Sequence, residues 1–465
     1  MINMIKKEGT DLGKEKVSSL LFKLSLPAII AQLVNLLYNI VDRIYIGRID
    51  NGEIAMAGIG VAFPIIMIVM AFSSLVGMGG APLAAIKMGQ KDNDGAEKIV
   101  SNSFSSVVIV GLILTTIVLI FKEPILWAFG ASETTISYSL DYLSIYAIGT
   151  IAVQIALGMN PFINTQGFAK FGMMTVIIGA IINIVLDPIF IFGFDMGVKG
   201  AALATIISQT VSAIWVLIFL FGKKTKIKIR KEYMIPDLGI IKKTMGLGVS
   251  PFIMQSTESL VLISLNNMLM NYGGDIAVSA MTIMSSIMQI IILPMMGLTQ
   301  GAQPIISYNF GAKNIKRVKE TFILLAKLCF SYTTIMWAML MIIPQVFVSI
   351  FNNDPELLNM TTWSIRIYFA GIFAFGAQVA FQQTFLALGK AKVSLILALL
   401  RKIILLIPLI FILPNFMDDK LFGVLLAEPI ADIIAALATT ITFVIFYKKT
   451  FKKEQTDIGR ETTDN

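Results

Sequence analysis

The stretches GGAPLAAIKMGQKD, residues 79–92, and GAQPIISYNFGAKN, residues 301–314, decide the fold. Laid over one another at a shift of 222 residues, they match Pro82 with Pro304, Gly89 with Gly311 and Lys91 with Lys313. The same shift lays Tyr146 on Tyr368, Gly167 on Gly389 and Lys170 on Lys392. Three matched regions at one offset read as an internal repeat.

Outward from these stretches the chain is apolar. It is 56% hydrophobic and 14% charged, with a mean hydropathy of +0.81, against roughly 25% charged in ordinary soluble chains. Twelve runs, each long enough to cross a bilayer as a helix, lie near 18–46, 54–84, 97–121, 137–158, 171–194, 198–221, 240–270, 276–308, 319–346, 361–387, 393–414 and 421–446. Equivalent positions are six spans apart, an even number, so the halves share one orientation about an axis along the membrane normal. The expected fold is therefore all-α and integral to the membrane: twelve transmembrane helices in two six-helix bundles related by a pseudo-two-fold axis. The expected divisions are a tail at 1–17, a bundle at 18–222, a basic linker at 223–239, a second bundle at 240–447 and a tail at 448–465.

Charge orients this scheme. With the N-terminus inside, the cytoplasmic segments hold about thirty of the 37 Lys and Arg residues, so both termini of this multi-pass membrane protein are expected in the cytoplasm. The pI near 9.3 thus reflects orientation, and no nucleic-acid partner is expected. With no histidine and a single cysteine, Cys329, the chain has neither an intrachain disulfide nor a His-based triad or zinc site. No Walker or GxGxxG motif is present, so no built-in ATPase is expected. No enzyme activity and no cofactor are expected.

The first run, LSLPAIIAQLVNLLYNIVDRIYIGRID at 24–50, carries an acid where an acid is costly. Asp42 lies roughly 12 Å inside its far end by helix rise, and Pro27 permits a bend fifteen residues earlier. An ion pair with Arg43 or Arg48 is the bland alternative. In the fifth run, Asn183 and Asp187 are four apart and share a helix face. Pro188 follows, freeing the carbonyl of Ile184. Thr205 falls at a similar depth, beside Gly200, Ala201, Ala202 and Ala204, which are small enough for close helix packing. These residues predict one polar cluster of Asp42, Asn183, Asp187 and Thr205. Its oxygen donors suit a hard cation such as Na+, and its acids can instead take a proton. The alternative is a helix-terminal polar pair near the headgroups. The second half has Asn266, Leu405 and Leu409 in place of Asp42, Asn183 and Asp187, so a cation site is expected in the first half only.

Candidates for a substrate cavity are Gln32, Asn35, Tyr38, Gln154, Asn160, Gln255, Glu258, Met288, Gln378, Gln382 and Glu428. Glu258 and Glu428, with Asp432 four residues on, either line such a cavity or pair with Arg366, Arg401 or Lys402. The 26 methionines suit a promiscuous cavity but are common in any apolar helix.

The two halves, Pro27 followed by Asp42 in LYNIVDRIYIGRI, and NIVLDPIFIFGFDMGVKGAALAT together resemble the multidrug and toxic compound extrusion (MATE) transporters, in particular the bacterial branch containing DinF and MepA. The resemblance covers residues 18 to 447. It implies cation-coupled efflux, by H+ or Na+, of lipophilic and often cationic organic compounds through rocker-switch alternating access, in a chain functional as a monomer. It also implies that Asp42, Asn183, Asp187 and Thr205 form the coupling site and that Pro27 is a bend in the first helix. Glu258 sits one residue earlier, relative to Pro251, than the acid used in the NorM-type branch. The rival reading is a flippase for a lipid-linked precursor of the same broad superfamily, which calls for a basic central cavity and spans beyond twelve. An integral membrane enzyme calls for acids or metal ligands gathered at one interface, and the acids here are scattered in depth.

Overall fold

A computed structural model describes residues 9–352 and 354–461 of the 465-residue chain, with side chains to Lys449. Lys6 and Lys7, which open the basic N-terminal tail, lie outside the described residues. Among the described residues the regular structure is helical throughout. In the first half, α1 (Val17–Ile46), α2 (Gly52–Gly89) and α3 (Asn93–Ala128) are followed by α4 (Ile136–Ile148), α5 (Thr150–Thr165), α6 (Ala169–Pro188) and α7 (Gly197–Phe221). The second half opens with α8 (Leu238–Gly311), α9 (Ile315–Ile342), α10 (Pro344–Ser349) and α11 (Pro355–Tyr368). It closes with α12 (Ile372–Ala387), α13 (Ala391–Leu399), α14 (Ile407–Ile412) and α15 (Lys420–Glu461).

Two of the expected spans are each broken in two. α4 and α5 meet at 59°, and α11 and α12 meet at 49°. Gly149 stands at the first bend and Gly371, its equivalent at a shift of 222, at the second. Neither bend has a proline; at each, a glycine admits a close neighbour. A Cβ on Gly149 would lie 2.1 Å from the Ile206 side chain, and one on Gly371 would lie 2.8 Å from the Pro429 carbonyl oxygen. Conversely, α8 joins two expected spans and reverses at Gly274, whose φ of 64° and ψ of −163° are not helical and are open to glycine alone at little cost. Counting each bent pair as one span and α8 as two, the described residues form twelve spans in two six-helix bundles, as the sequence predicts.

The repeat holds at the level of single backbone angles. Lys91 and Lys313, at equivalent positions, both take positive φ, 61° and 55°. The next residues then cap α3 and α9: Asp92 accepts from the Gly95 amide and Asn314 from the Arg317 amide, each satisfying an amide that the first helical turn leaves open. Gly167 and Gly389, likewise equivalent, also take positive φ, 87° and 70°.

The chain packs as two compact units. The first runs up to Ser256 and takes in Met296–Lys313 and Ala387–Ala391. The second holds Thr257–Met295, Asn314–Leu386 and the chain from Lys392. The first unit thus reaches past the basic linker at 223–239. That linker is strapped to the start of α3: Arg230 pairs with Glu97, the Tyr233 hydroxyl donates to Asp94, and the Asp237 amide donates to Asn102 Oδ1 at 2.6 Å. The core of the second unit is apolar around Leu265, Ile287, Phe369 and Ile410.

Candidate functional site

In the first unit, α1 packs along α6, and α6 along α7. Asp42 near the end of α1, Asn183 and Asp187 on α6, and Thr205 on α7 are therefore carried on neighbouring helices. The end of α6 is shaped by Pro188, which cannot donate to the helix ladder. The chain answers with a wide turn of π type over Ile189–Gly193, closed by the Phe194 amide on the Ile189 carbonyl at 2.9 Å. Gly200 on α7 admits this turn, since a Cβ there would lie 2.7 Å from the Phe190 backbone. The small residues of α7 thus perform the close approach expected of them.

Asp187 is 0% exposed and Asn183 1% exposed. The Asn183 Nδ2 donates to Asp187 Oδ1 at 3.1 Å, as their spacing of four residues predicts. The carboxyl of Asp42 lies within hydrogen-bonding reach of that of Asp187. Three buried oxygens have no hydrogen-bond partner: Asp42 Oδ1, Asn183 Oδ1 and Asp187 Oδ2. Buried polar atoms are normally satisfied, and here all three are acceptors. Two carboxylates this close also repel unless a positive charge lies between them. Acceptor oxygens from carboxylate and carboxamide fit a proton or a small hard cation. Among the described residues no three His, Cys, Asp or Glu side chains are placed to hold a metal ion together.

The sequence reading did not single out two tyrosines. Tyr142 and Tyr146 on α4 are buried and stacked, with ring centroids 6.2 Å apart. The Tyr142 phenol is an electrostatic neighbour of both the Thr205 hydroxyl and Asp42, which places Thr205 beside the cluster. Tyr38, one turn before Asp42, is also its electrostatic neighbour. Tyr142 and Tyr146 are four residues apart in DYLSIYAIGT, and Tyr146 is marked there only as the repeat match of Tyr368. At the equivalent place in the second half, Leu405 and Leu409 pack against the apolar core. α1 continues as one helix through Pro27. The Ser25 hydroxyl just before it donates to the Leu298 carbonyl at 3.3 Å, and a Cβ on Gly301 would lie 2.5 Å from the Ser25 amide nitrogen.

Several cavity candidates are placed otherwise than expected. Gln154 is 0% exposed. Its amide is consumed inside the first unit, accepting from Ser73 at 3.0 Å and donating to the Val69 carbonyl at 2.6 Å, so it braces α2 against α5 and does not line a wall. Gln378 and Gln382 are buried among the helices of the second unit, and Glu428 is buried in an ion pair with Arg401 at 2.9 Å; a glutamate and an arginine one helix apart satisfy each other before they meet a ligand. Gln255 accepts from Ser74 at 2.9 Å, and Asn160 donates to the Gly172 carbonyl at 3.3 Å. Gln32, Asn35 and Met288 are half-buried, and Glu258 is open on one side while pairing with Lys402 on the other.

Comparison with known proteins agrees with this architecture. The chain matches the MatE family over residues 27–189 and 251–412. It is 28% identical over 414 residues to the multidrug export protein MepA of Staphylococcus haemolyticus, covering 88% of this chain and 90% of that one. With MepA of Staphylococcus aureus (strain NCTC 8325) it is 26% identical over 428 residues, covering 92% and 94%. Among solved structures, the MATE multidrug transporter DinF-BH in complex with rhodamine 6G superposes with a TM-score of 0.88 at 35% identity, covering 96% of this chain and 99% of that one. A MATE protein in the bent conformation shares the fold with a TM-score of 0.89 at 22% identity, covering 95% and 98%. A family match that spans both repeats, on twelve spans in two bundles, assigns the chain: it belongs to the MatE family and is a membrane transporter, not an enzyme.

Proposed function

We propose that this protein is a cation-coupled antiporter that exports lipophilic, often cationic, organic compounds across the bacterial plasma membrane, with both termini cytoplasmic and one chain sufficient. The observation that carries the reading is the trio of unpartnered buried oxygens on Asp42, Asn183 and Asp187. The names of the relatives support it: MepA is called a multidrug export protein, and DinF-BH was solved with rhodamine 6G.

The residues divide the work as follows. Asp42 and Asp187 hold the incoming H+ or Na+, and Asn183 and Thr205 supply neutral oxygens, with Tyr142 beside Thr205. A bound cation removes the repulsion between the two carboxyls, and so favours the conformation that brings α1 and α6 closest together. A ligand shifts such an equilibrium only by its differential affinity for the two states. In a rocker-switch cycle, Pro27 and Pro188 are the points at which these helices yield. A single charge falling through 100 mV gains about 2.3 kcal/mol, enough for roughly forty-fold accumulation at about 1.4 kcal/mol per decade.

The test is efflux of rhodamine 6G from proteoliposomes under a Na+ gradient or a pH gradient imposed separately, for the wild type and Asp42→Asn. Movement driven by one gradient and abolished by the substitution is expected, and names the ion. Binding with no movement under either gradient overturns the reading in favour of a lipid-linked substrate.

A further inference from the structure

Five charged side chains of the second unit gather at span depth. Arg401 and Lys402 sit on a π-type turn at Leu400–Leu406, Glu428 and Asp432 on α15, and Glu258 on α8. Arg401 is committed. It donates from Nη2 to Glu428 Oε1 at 2.9 Å and from Nε to Asp432 Oδ1 at 2.7 Å, and its guanidinium lies over the Phe375 ring at 4.6 Å. All three members of this triad are buried.

The neighbouring pair is built differently. The Lys402 ammonium donates to Glu258 Oε2, yet the Lys402 side chain is 8% exposed and that of Glu258 is 65% exposed. A lysine normally buries its stem and sends its charge to water. Here the ammonium reaches out from the interior to the back of a carboxylate whose other side is open. An ionised carboxylate facing hydrocarbon is costly, so the open side of Glu258 faces water or a ligand. A second seat for the lysine lies close by: Glu428 Oε2 is buried, has no hydrogen-bond partner, and feels the charge of Lys402.

From this geometry we propose that Glu258 is the docking carboxylate for a lipophilic monocation and that Lys402 is its tethered counter-ion, which moves to Glu428 Oε2 when the substrate arrives. The inference rests on the efflux reading and makes the pair a determinant of specificity. With Lys402 in place the open face of Glu258 is neutralised from behind, so a neutral compound gains nothing there. A cation must displace the ammonium and therefore binds weakly enough to leave. The displaced ammonium remains inside the cluster, so the bound monocation brings three carboxylates and two resident cations to neutrality.

The test is equilibrium binding of tetraphenylphosphonium, with the neutral triphenylphosphine oxide as control, to the purified full chain. Lys402→Met is expected to bind the cation about tenfold more tightly than wild type, one decade in Kd, and the neutral control no differently. Glu258→Gln is expected to lose most of the cation binding, and the double variant to behave like Glu258→Gln. Lys402→Gln, which keeps a polar head, is expected to give the same gain and serves if Lys402→Met does not fold. The proposal is overturned if neither Lys402 variant binds the cation more tightly, or if the gain survives when Glu258 is also replaced. Because binding is read without a gradient, a chain that behaves as described yet moves nothing under either gradient refutes the efflux reading and leaves the exchange intact.

Discussion

Gly89 of α2 and Tyr308 of α8 approach so closely that a Cβ on the glycine would lie 1.9 Å from the tyrosine carbonyl oxygen. The repeat returns the same contact with the partners exchanged: a Cβ on Gly311 would lie 2.0 Å from the carbonyl oxygen of Ile86, and these residues are the equivalents of Gly89 and Tyr308 at a shift of 222. Further along the same helices, a Cβ on Gly79 would lie 2.1 Å from the Thr244 carbonyl oxygen, and one on Gly248 would lie 1.7 Å from that of Leu75. Gly79 and Gly89 of α2 thus meet the two spans of α8, one each, backbone to backbone.

Gly89→Ala and Gly311→Ala are expected to destabilise the protein by about 1–3 kcal/mol each, the usual cost of overpacking. Gly60→Ala in the same α2, where a Cβ meets nothing within 4 Å, is expected to be neutral or slightly stabilising, by up to about 1 kcal/mol of helix propensity. Thermal unfolding in detergent compares the three. Equal effects at all three positions would show that helix propensity, and not the close approach, governs these sites.

Tyr142→Phe and Thr205→Val each remove one of two neighbouring hydroxyls beside Asp42. Each is expected to weaken coupling-ion affinity by up to about tenfold, from about 0.5–1.5 kcal/mol. Together they should cost little more than either alone. Ion dependence of efflux in the single and double variants measures this, and strictly additive losses would separate the two residues.

Removing Arg401 leaves two buried carboxylates without their cation, so Arg401→Met is expected to cost about 3–5 kcal/mol. Adding Glu428→Gln and Asp432→Asn to it is expected to restore most of that loss, because apolar or neutral replacements of a whole buried ion cluster are often tolerated. Chemical unfolding of the single and triple variants decides between repair and continued loss.

Asp92, in the turn between α2 and α3, is held below the usual carboxylate range first by the hydrogen bond from the Lys87 ammonium at 2.8 Å and then by the Gly95 amide. A carboxyl held low in the folded state contributes stability above its unfolded value, about 3.9, and loses it as pH falls through the folded value. Asp92→Asn keeps the cap but not the charge. The gap in melting temperature between wild type and Asp92→Asn is therefore expected to be present at pH 7 and to close below about pH 4. A gap independent of pH would assign the whole effect to cap geometry.

Much of this structure is legible in the sequence because the membrane simplifies the reading. Hydropathy and the match of 79–92 with 301–314 fix twelve spans and two repeats, and a carboxylate inside an apolar run, such as Asp187 four residues after Asn183, has few innocent explanations. The bends at Gly149 and Gly371 were not legible, since the close neighbour at each lies on another helix, Ile206 or Pro429. Nor was the fate of Gln154. A glutamine in an apolar helix looks the same whether it faces a cavity or the Val69 carbonyl, and only tertiary packing separates the two. Tyr142 escaped because a buried tyrosine is chemically ordinary until Thr205 and Asp42 are found beside it.

The first unit is completed by Met296–Lys313 and Ala387–Ala391, and this sets an order of events during synthesis. Gly79 and Gly89 of α2 lack their partners, Thr244 and Tyr308, until residues beyond the linker have left the ribosome, so the first unit stays incomplete while part of the second half is made. A chain interrupted at 223–239 would release a half whose most closely packed helices lack their counterparts.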